Sequence, residues 1–251
     1  MYEAVHAHPE GESTVSRLAA TAADYGYDGL VVRNHGALPT FDAGRIRDEF
    51  GVDVVRGVEV RAEDPAQASG YLGSLRQEAA VLALHGGSTA LNRFAVRQER
   101  VDVLAHPMRD GDLNHVLVKA AAEHGVHLEV NLGRVLRTSG GRRVRTLSGL
   151  RKLRELIAAY DAPFVVSADA ASHLELRAPR ELFALGEVIG FDRDDVEAGL
   201  AEWGRIAAAN REQVSESFVE PGVRRGRYEE ADAVAGSDGH TAPEDGAEAD
   251  R

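Results

Sequence analysis

Tyr2-Glu3-Ala4-Val5-His6-Ala7-His8 opens the chain as an extended-looking run ending in two imidazoles one residue apart. Side chains on a β-strand repeat every second residue, so His6 and His8 are expected on one face, the geometry of a metal-ligand pair. An H-x-H pair alone is a weak signal and more often merely lines a polar strand end. Its weight comes from the rest of the chain, where short apolar runs recur and gather polar groups at or near their ends. These are Asp28 to His35, Val52 to Val60 with Glu59, Ala80 to His85, Val101 to Pro107 with His106, His127 to Leu132, and Pro163 to Asp169.

Helical patterns separate these runs. Ser13 is read as the N-cap of an amphipathic stretch from Val15 that stops at Gly26, and Thr40 as the cap of a helix closed by Gly51. Asp64-Pro65 gives a cap followed by proline at the first helical position, and Ser88 starts a short helix. Further helices are expected from about Leu113 to His124, Leu147 to Tyr160, Pro179 to Ile189, and Asp192 to about Val214. The last carries Leu200, Trp203, Ile206 and Ala207 on one stripe.

Seven short strands, apolar on both faces and alternating with helices, predict an α/β fold with a parallel sheet. Closing that sheet into a distorted TIM-like (β/α) barrel gathers the strand ends into one bowl. An open doubly wound sheet would not, and no Gly-rich phosphate loop follows the first strand. The expected organisation is one barrel domain over residues 1–215, a basic extension over 216–228 with Arg224, Arg225 and Arg227, and a disordered acidic tail over 229–251.

The composition narrows the chemistry. No run of about eighteen apolar residues occurs, and the chain starts on a strand-like segment rather than a charged-then-apolar leader, so a cytoplasmic protein without membrane contact is expected. Cysteine is absent, leaving imidazole and carboxylate as the only strong metal ligands. The formal net charge is −12, and of 29 basic residues only Lys119 and Lys152 are lysine. An acidic surface almost free of lysine predicts a protein kept soluble in concentrated salt.

Two sets of residues could carry function. His6, His8, His35, Glu59, His85, His106 and Asp169 suit a di- or trinuclear divalent-metal site, although each alone is an ordinary polar strand terminus. The second set is a basic block, Arg134, Arg137, Arg142, Arg143, Arg145, Arg151, Lys152 and Arg154, with no acid before Glu155. Gly140-Gly141 predicts a loop there, on which arginines offer forked donors to phosphate oxygens. A solvated helix face paired with nearby Glu is the alternative.

His6-Ala-His8, Asn34-His35, Gly57-Val-Glu59, His85, Ala105-His106-Pro107 and Asp169 resemble the polymerase-and-histidinol-phosphatase (PHP) family of seven-stranded metal-bearing barrels. A more specific resemblance links the chain to the thirty-kilodalton protein subunit family of archaeal and eukaryal ribonuclease P. It rests on Gly26-Tyr-Asp-Gly-Leu-Val-Val, Val101-Asp-Val-Leu-Ala-His-Pro, Leu128-Glu-Val-Asn-Leu and, most discriminating, Ser167-Ala-Asp-Ala-Ala-Ser-His-Leu-Glu-Leu-Arg-Ala-Pro-Arg-Glu-Leu. This resemblance implies a PHP-like barrel serving in the ribonucleoprotein that removes the 5′ leader of precursor tRNA. The catalytic group would be the RNA with its own Mg2+, and the partners the ribonuclease P RNA, a smaller pairing protein subunit and, through the complex, precursor tRNA.

The basic block would then meet RNA or that subunit, and the isolated chain would not be catalytic. Relative to an active PHP enzyme, Ala4 and Asn34 stand where acids are usual, and Ala171 where a histidine is usual, with His173 two residues on. The resemblance therefore implies a vestigial metal site, at which divalent-metal binding is left open, and no firm cofactor. A stand-alone metal-dependent phosphoesterase is the second reading, and a binding module without a nucleic-acid role the third.

Overall fold

The computed structural model describes residues 1–109 and 113–213, and beyond them only 218–220 and 223–224. Seven strands, β1 (Tyr2–Val5), β2 (Gly29–Val32), β3 (Asp53–Val60), β4 (Val81–His85), β5 (Val103–Ala105), β6 (His127–Asn131) and β7 (Phe164–Ser167), lie parallel in sequential order. The ring nearly closes on itself. Val5 bridges Ala170 in parallel, and the His6 N–H donates to the Ala170 carbonyl at 2.9 Å.

The helices are α1 (Val15–Asp24), α2 (Ala43–Phe50), α3 (Pro65–Leu75), α4 (Thr89–Ala95), α5 (His115–His124), α6 (Gly133–Arg137), α7 (Gly140–Tyr160), α8 (Pro179–Ile189) and α9 (Arg193–Gln213). Strand alternation sorts the core into two. Val5, Leu30, Val32, Val54, Leu82, Leu84, Leu104 and Leu128 pack with the buried faces of the helices. Residues of the opposite parity, Ala4, Val31, Val55, Val81, Ala83, Val103, Ala105 and Val165, form the interior, joined by Trp203, Ile206 and Ala207 of α9. The last helix therefore plugs the barrel instead of merely covering it. Gly199 and Gly204 let it come close, since a Cβ on either would lie 2.6 Å from Val166 or from the Tyr2 ring.

Several local expectations are corrected. Strand β1 ends at Val5 rather than His8, because the chain turns there: Gly11 N–H donates to Ala7 O at 2.9 Å and His8 N–H to Ser13 O at 2.8 Å. Thr14, not Ser13, caps α1, while Ser13 Oγ serves the His173 ring and backbone. Asp42, not Thr40, caps α2. Gly140-Gly141 is no loop but the start of α7, where Gly140 at φ 57° makes the entry turn that an L side chain would resist. Asp64 and Ser88 cap α3 and α4 as expected.

Met1–Val214 is one compact unit. Of the unit from Ser215 only an antiparallel pair is described, β8 (Phe218–Glu220) with β9 (Val223–Arg224). Arg225, Arg227 and the expected acidic tail lie outside the described residues. Among the described residues, no helix is long and apolar enough to cross a membrane.

A buried carboxyl reinforces the seam between β1 and β7. Glu3 Oε1 accepts from the Ala4 N–H at 3.0 Å and, across the seam, from the Ala168 N–H at 2.9 Å. Burial pushes Glu3 up to about 8, against the lowering pull of these two donors. Between its ordinary value of 4.5 and about 8 the folded chain holds a proton that the unfolded chain has released, so stability falls as pH rises across that window. At about 1.4 kcal/mol per pH unit the fall is on the order of 3–5 kcal/mol. Glu3→Gln is expected to remove most of it, as read by urea unfolding near pH 5 and pH 9. Parallel pH slopes for the two proteins would overturn this assignment.

Candidate functional site

The C-terminal strand ends meet as one bowl. His6 follows β1, Arg33, Asn34 and His35 follow β2, Glu59 lies in β3, His85 ends β4, His106 follows β5, Glu129 lies in β6 and Asp169 follows β7. Four imidazoles form an arc, with ring centroids 4.8 Å apart for His6 and His35, 5.5 Å for His35 and His85, and 4.6 Å for His85 and His106. Two strand ends are locally strained to achieve this. His106 and Asp169 adopt φ of 50° and 54°, a region non-glycine residues avoid and one that recurs at functional sites. The His106 N–H is secured by Glu129 Oε2 at 2.9 Å.

Carboxylates hold the imidazoles. Glu59 takes His35 Nε2 at 3.1 Å, His106 Nε2 at 3.4 Å and His85 Nδ1 at closer range. Asp169 Oδ1 pairs with His6 Nε2 at 3.1 Å. Burial works against charge on His6, but its bond to Asp169 and the Glu10 carboxylate 3.6 Å from Nδ1 outweigh burial and lift it to about 9. Burial also opposes ionisation of Glu10, yet His6 and the His35 backbone bring it down to about 2. Glu59 is held well below the usual range despite burial, chiefly by Arg33. Asp169 is lowered by His6 and Arg33, again against burial. His106 is raised against burial by Glu129 and Glu59, whereas His85 is lowered, burial outweighing its bond to Glu59.

Of the seven residues expected from sequence, six converge and His8 does not. The period-2 rule needs extended backbone, and past Val5 the chain turns, leaving His8 exposed. Glu10 enters instead, from that same turn, bonded to the His35 N–H at 2.6 Å and to its ring. Asn34 spends its side chain on both backbone groups of Ala7, at 2.8 and 2.7 Å. His173 binds Ser13 and Arg17, so it does not replace the imidazole missing at Ala171.

Arg33 and Glu129, like Glu10, are site residues that sequence reasoning missed. Both are fully buried at the bowl's floor. Arg33 Nη1 donates to Glu59 Oε2 at 2.5 Å, and its Nη2 donates to Glu129 Oε1 at 2.5 Å and Asp169 Oδ1 at 3.0 Å. The signal was present: a base closing a strand apolar on both faces must find buried acids.

This arrangement tests the metal expectation. His6, Glu10 and His35, and again His35, Glu59 and His85, bring ligand atoms within 4.8 Å of one another. The acids that would bridge a multinuclear cluster, however, already turn oxygens onto a guanidinium, and Ala4 and Ala171 supply no ligand. The residues present do not fit such a cluster.

The basic block lies on α6 and α7 beside the bowl. Arg137 is committed to the Ala168 and Asp169 carbonyls at 3.0 and 2.9 Å, and Arg151 to the Val188 carbonyl at 3.1 Å. Arg134 makes a long bond to the Arg109 carbonyl at 3.4 Å, Lys152 has a partner of its own, and Arg154 is half-buried. Arg142, Arg143 and Arg145 are exposed, and among the described residues their guanidinium groups have no hydrogen-bond or ion-pair partner. Arg142 and Arg145 share a cavity of about 340 Å³ with His106, Glu129 and Arg134, so the free cations adjoin the bowl.

The sequence matches the family described as RNase P subunit p30 over residues 1–214. Relatives named ribonuclease P protein component 3 include that of Natronomonas pharaonis, 60% identical over 89% of this chain and 94% of the relative. Those of Haloarcula marismortui (59%, over 89% and 96%) and Methanosarcina mazei (40%, over 76% and 81%) are similar too. The more similar relatives come from halophiles, in line with the lysine-poor acidic composition. In fold, the chain matches one in a cryo-EM structure of archaeal ribonuclease P with mature tRNA, with a TM-score of 0.73, 22% identity, and coverage of 88% of this chain and 97% of the other. Histidinol phosphate phosphatase from Lactococcus lactis, complexed with zinc, L-histidinol and phosphate, matches at a TM-score of 0.51 and 12% identity, over 76% and 94%.

Proposed function

This chain belongs to the RNase P subunit p30 family, and on that premise we propose how it serves ribonuclease P: it supports an RNA partner through the arginine face of α7 and leaves bond cleavage to the rest of the complex. It is a protein component of the holoenzyme, the endoribonuclease that trims the 5′ leader of precursor tRNA. The observation that carries the reading is the set of guanidinium groups of Arg142, Arg143 and Arg145, which have no partner among the described residues, in a chain of net charge −12. Where acids prevail, cations left unpaired on one helix face are available for phosphate oxygens.

The proposed partners are the ribonuclease P RNA, a smaller protein subunit and, through the complex, precursor tRNA, all in the cytoplasm. Any Mg2+ needed for cleavage would then belong to the RNA. A stand-alone phosphoesterase is the weaker reading, because Arg33 occupies the carboxylates that would have to bridge its metals. The test is capture of the tagged chain from its own cells in the native salt, with RNA and protein readout. A long structured RNA together with several small proteins is the expected yield. Recovery of the chain free of RNA would overturn the proposal.

A further inference from the structure

Three acids from three strands converge at the bottom of the bowl, and they converge on one side chain. Glu59, Glu129 and Asp169 lie 26, 96 and 136 residues from Arg33, yet each receives a hydrogen bond from its guanidinium. The fork is matched on its other side, where Arg33 lies 5.5 Å from the centroid of the Trp203 ring. Neither Arg33 nor its two glutamate partners has any solvent exposure.

We infer that Arg33 is a built-in replacement for the metal ions of this type of barrel: its guanidinium neutralises the strand-end acids, ties β2 to β3, β6 and the end of β7, and closes the floor of the bowl to divalent cations. Buried carboxylates require either a metal or a fixed cation to stay ionised in a dry site. A planar fork with fixed positive charge reaches two acids at once, which a lysine ammonium on a flexible stem does less well. Once the guanidinium is seated, a metal ion among the same carboxylates would face a positive charge at hydrogen-bonding range, and the second oxygen of each acid is already turned to His35, His85 and His106, to the His106 N–H, or to Arg137. The replacement also accounts for the missing ligands, since a site held by a guanidinium needs neither an acid at Ala4 nor an imidazole at Ala171.

The experiment pairs metal content with thermal melting of the full chain in its native salt. Wild type is expected to carry well under one equivalent of Zn or Mn after purification without chelator, and to melt at the same temperature with EDTA, MnCl2 or ZnCl2. Arg33→Ala leaves Glu59 and Glu129 fully buried without their guanidinium and Asp169 with only His6 and Arg137, and it is expected to melt lower. At saturating Mn2+ or Zn2+ it should regain roughly 5–10 °C, a response that wild type lacks. Arg33→Lys keeps a charge and should fall between the two, with little metal response.

A stoichiometric transition metal in wild type overturns the inference, as does a folded Arg33→Ala protein indifferent to metal. Should Arg33→Ala fail to fold even with metal, the wild-type metal content and the Arg33→Lys response decide. None of these readouts depends on RNA, so the inference can fail while the ribonuclease P assignment stands.

Discussion

Replacing Trp203 with Ala lowers the stability of the barrel by about 3–5 kcal/mol, the largest loss expected from any single apolar substitution in the interior. Trp203 is the largest fully buried side chain, and it reaches from α9 into the cluster formed by the inward residues of the strands. Its removal acts in three ways at once. A cavity opens below the bowl, at a cost that grows with the volume left unfilled. The Val166 carbonyl loses the indole N–H that reaches it at 2.9 Å. Arg33 loses the aromatic face beside its guanidinium, a contact worth about 1–2 kcal/mol when desolvated.

These terms share atoms and do not add. Trp203→Phe keeps much of the packing and gives up the hydrogen bond and the volume of the second ring, so it is expected to cost less than half as much. Urea unfolding followed by circular dichroism measures both, because Trp203 is the only tryptophan and fluorescence would lose its reporter. A loss below about 1 kcal/mol for Trp203→Ala would mean that α9 does not plug the barrel.

The parts of this structure that were legible in the sequence are those set by local rules. Val81–His85 reads as a strand because its apolar run is bounded on both sides, and its imidazole lands in the bowl because strand ends do so in any parallel barrel. Asp64-Pro65 fixes the start of α3 through capping and a preset φ. What failed needed knowledge of where the backbone stops being regular or of what lies across the barrel. His8 left the site because β1 stops at Val5, and Glu10 entered it from a turn that no periodicity describes. Arg33 is not a metal-ligand type and so does not stand out beside the imidazoles, although a cation after the apolar run Gly29–Val32 demands acids in the interior. The stripe through Trp203 was visible as amphipathic. Its direction, into the barrel rather than onto its outside, depends on the thin seam between β1 and β7, which sequence does not display. Gly140-Gly141 misled for a related reason: glycines mark helix entry as well as loops, and the helix formers that follow them settle which.

Substituting Arg142, Arg143 and Arg145 together with Ala is expected to weaken RNA binding by roughly 10–100-fold at 0.1–0.2 M salt and to lower cleavage by the reconstituted complex at limiting magnesium. The three guanidinium groups are exposed and have no partner in the described chain, so their loss should leave folding stability within about 0.5 kcal/mol. That separation gives the experiment its power, because a fall in activity cannot then be traced to unfolding. Arg137 offers no such clarity, since it also clamps the Ala168 and Asp169 carbonyls at the end of β7.

If each arginine meets a phosphate, the plot of log affinity against log salt should become shallower by about three for the triple variant. A triple Lys substitution should restore most of that slope while giving up the fork. The first turn of α7 carries no acid to cancel these charges, and the partial positive charge at its N-terminus points the same way. In molar salt the ionic advantage shrinks, so the deficit of the Ala variant should narrow as salt rises if phosphate is the target. A deficit that persists undiminished in molar salt would instead place a protein surface against α7. Cleavage unchanged by the triple Ala substitution at limiting magnesium would remove the arginine face from the account of how this subunit supports its RNA.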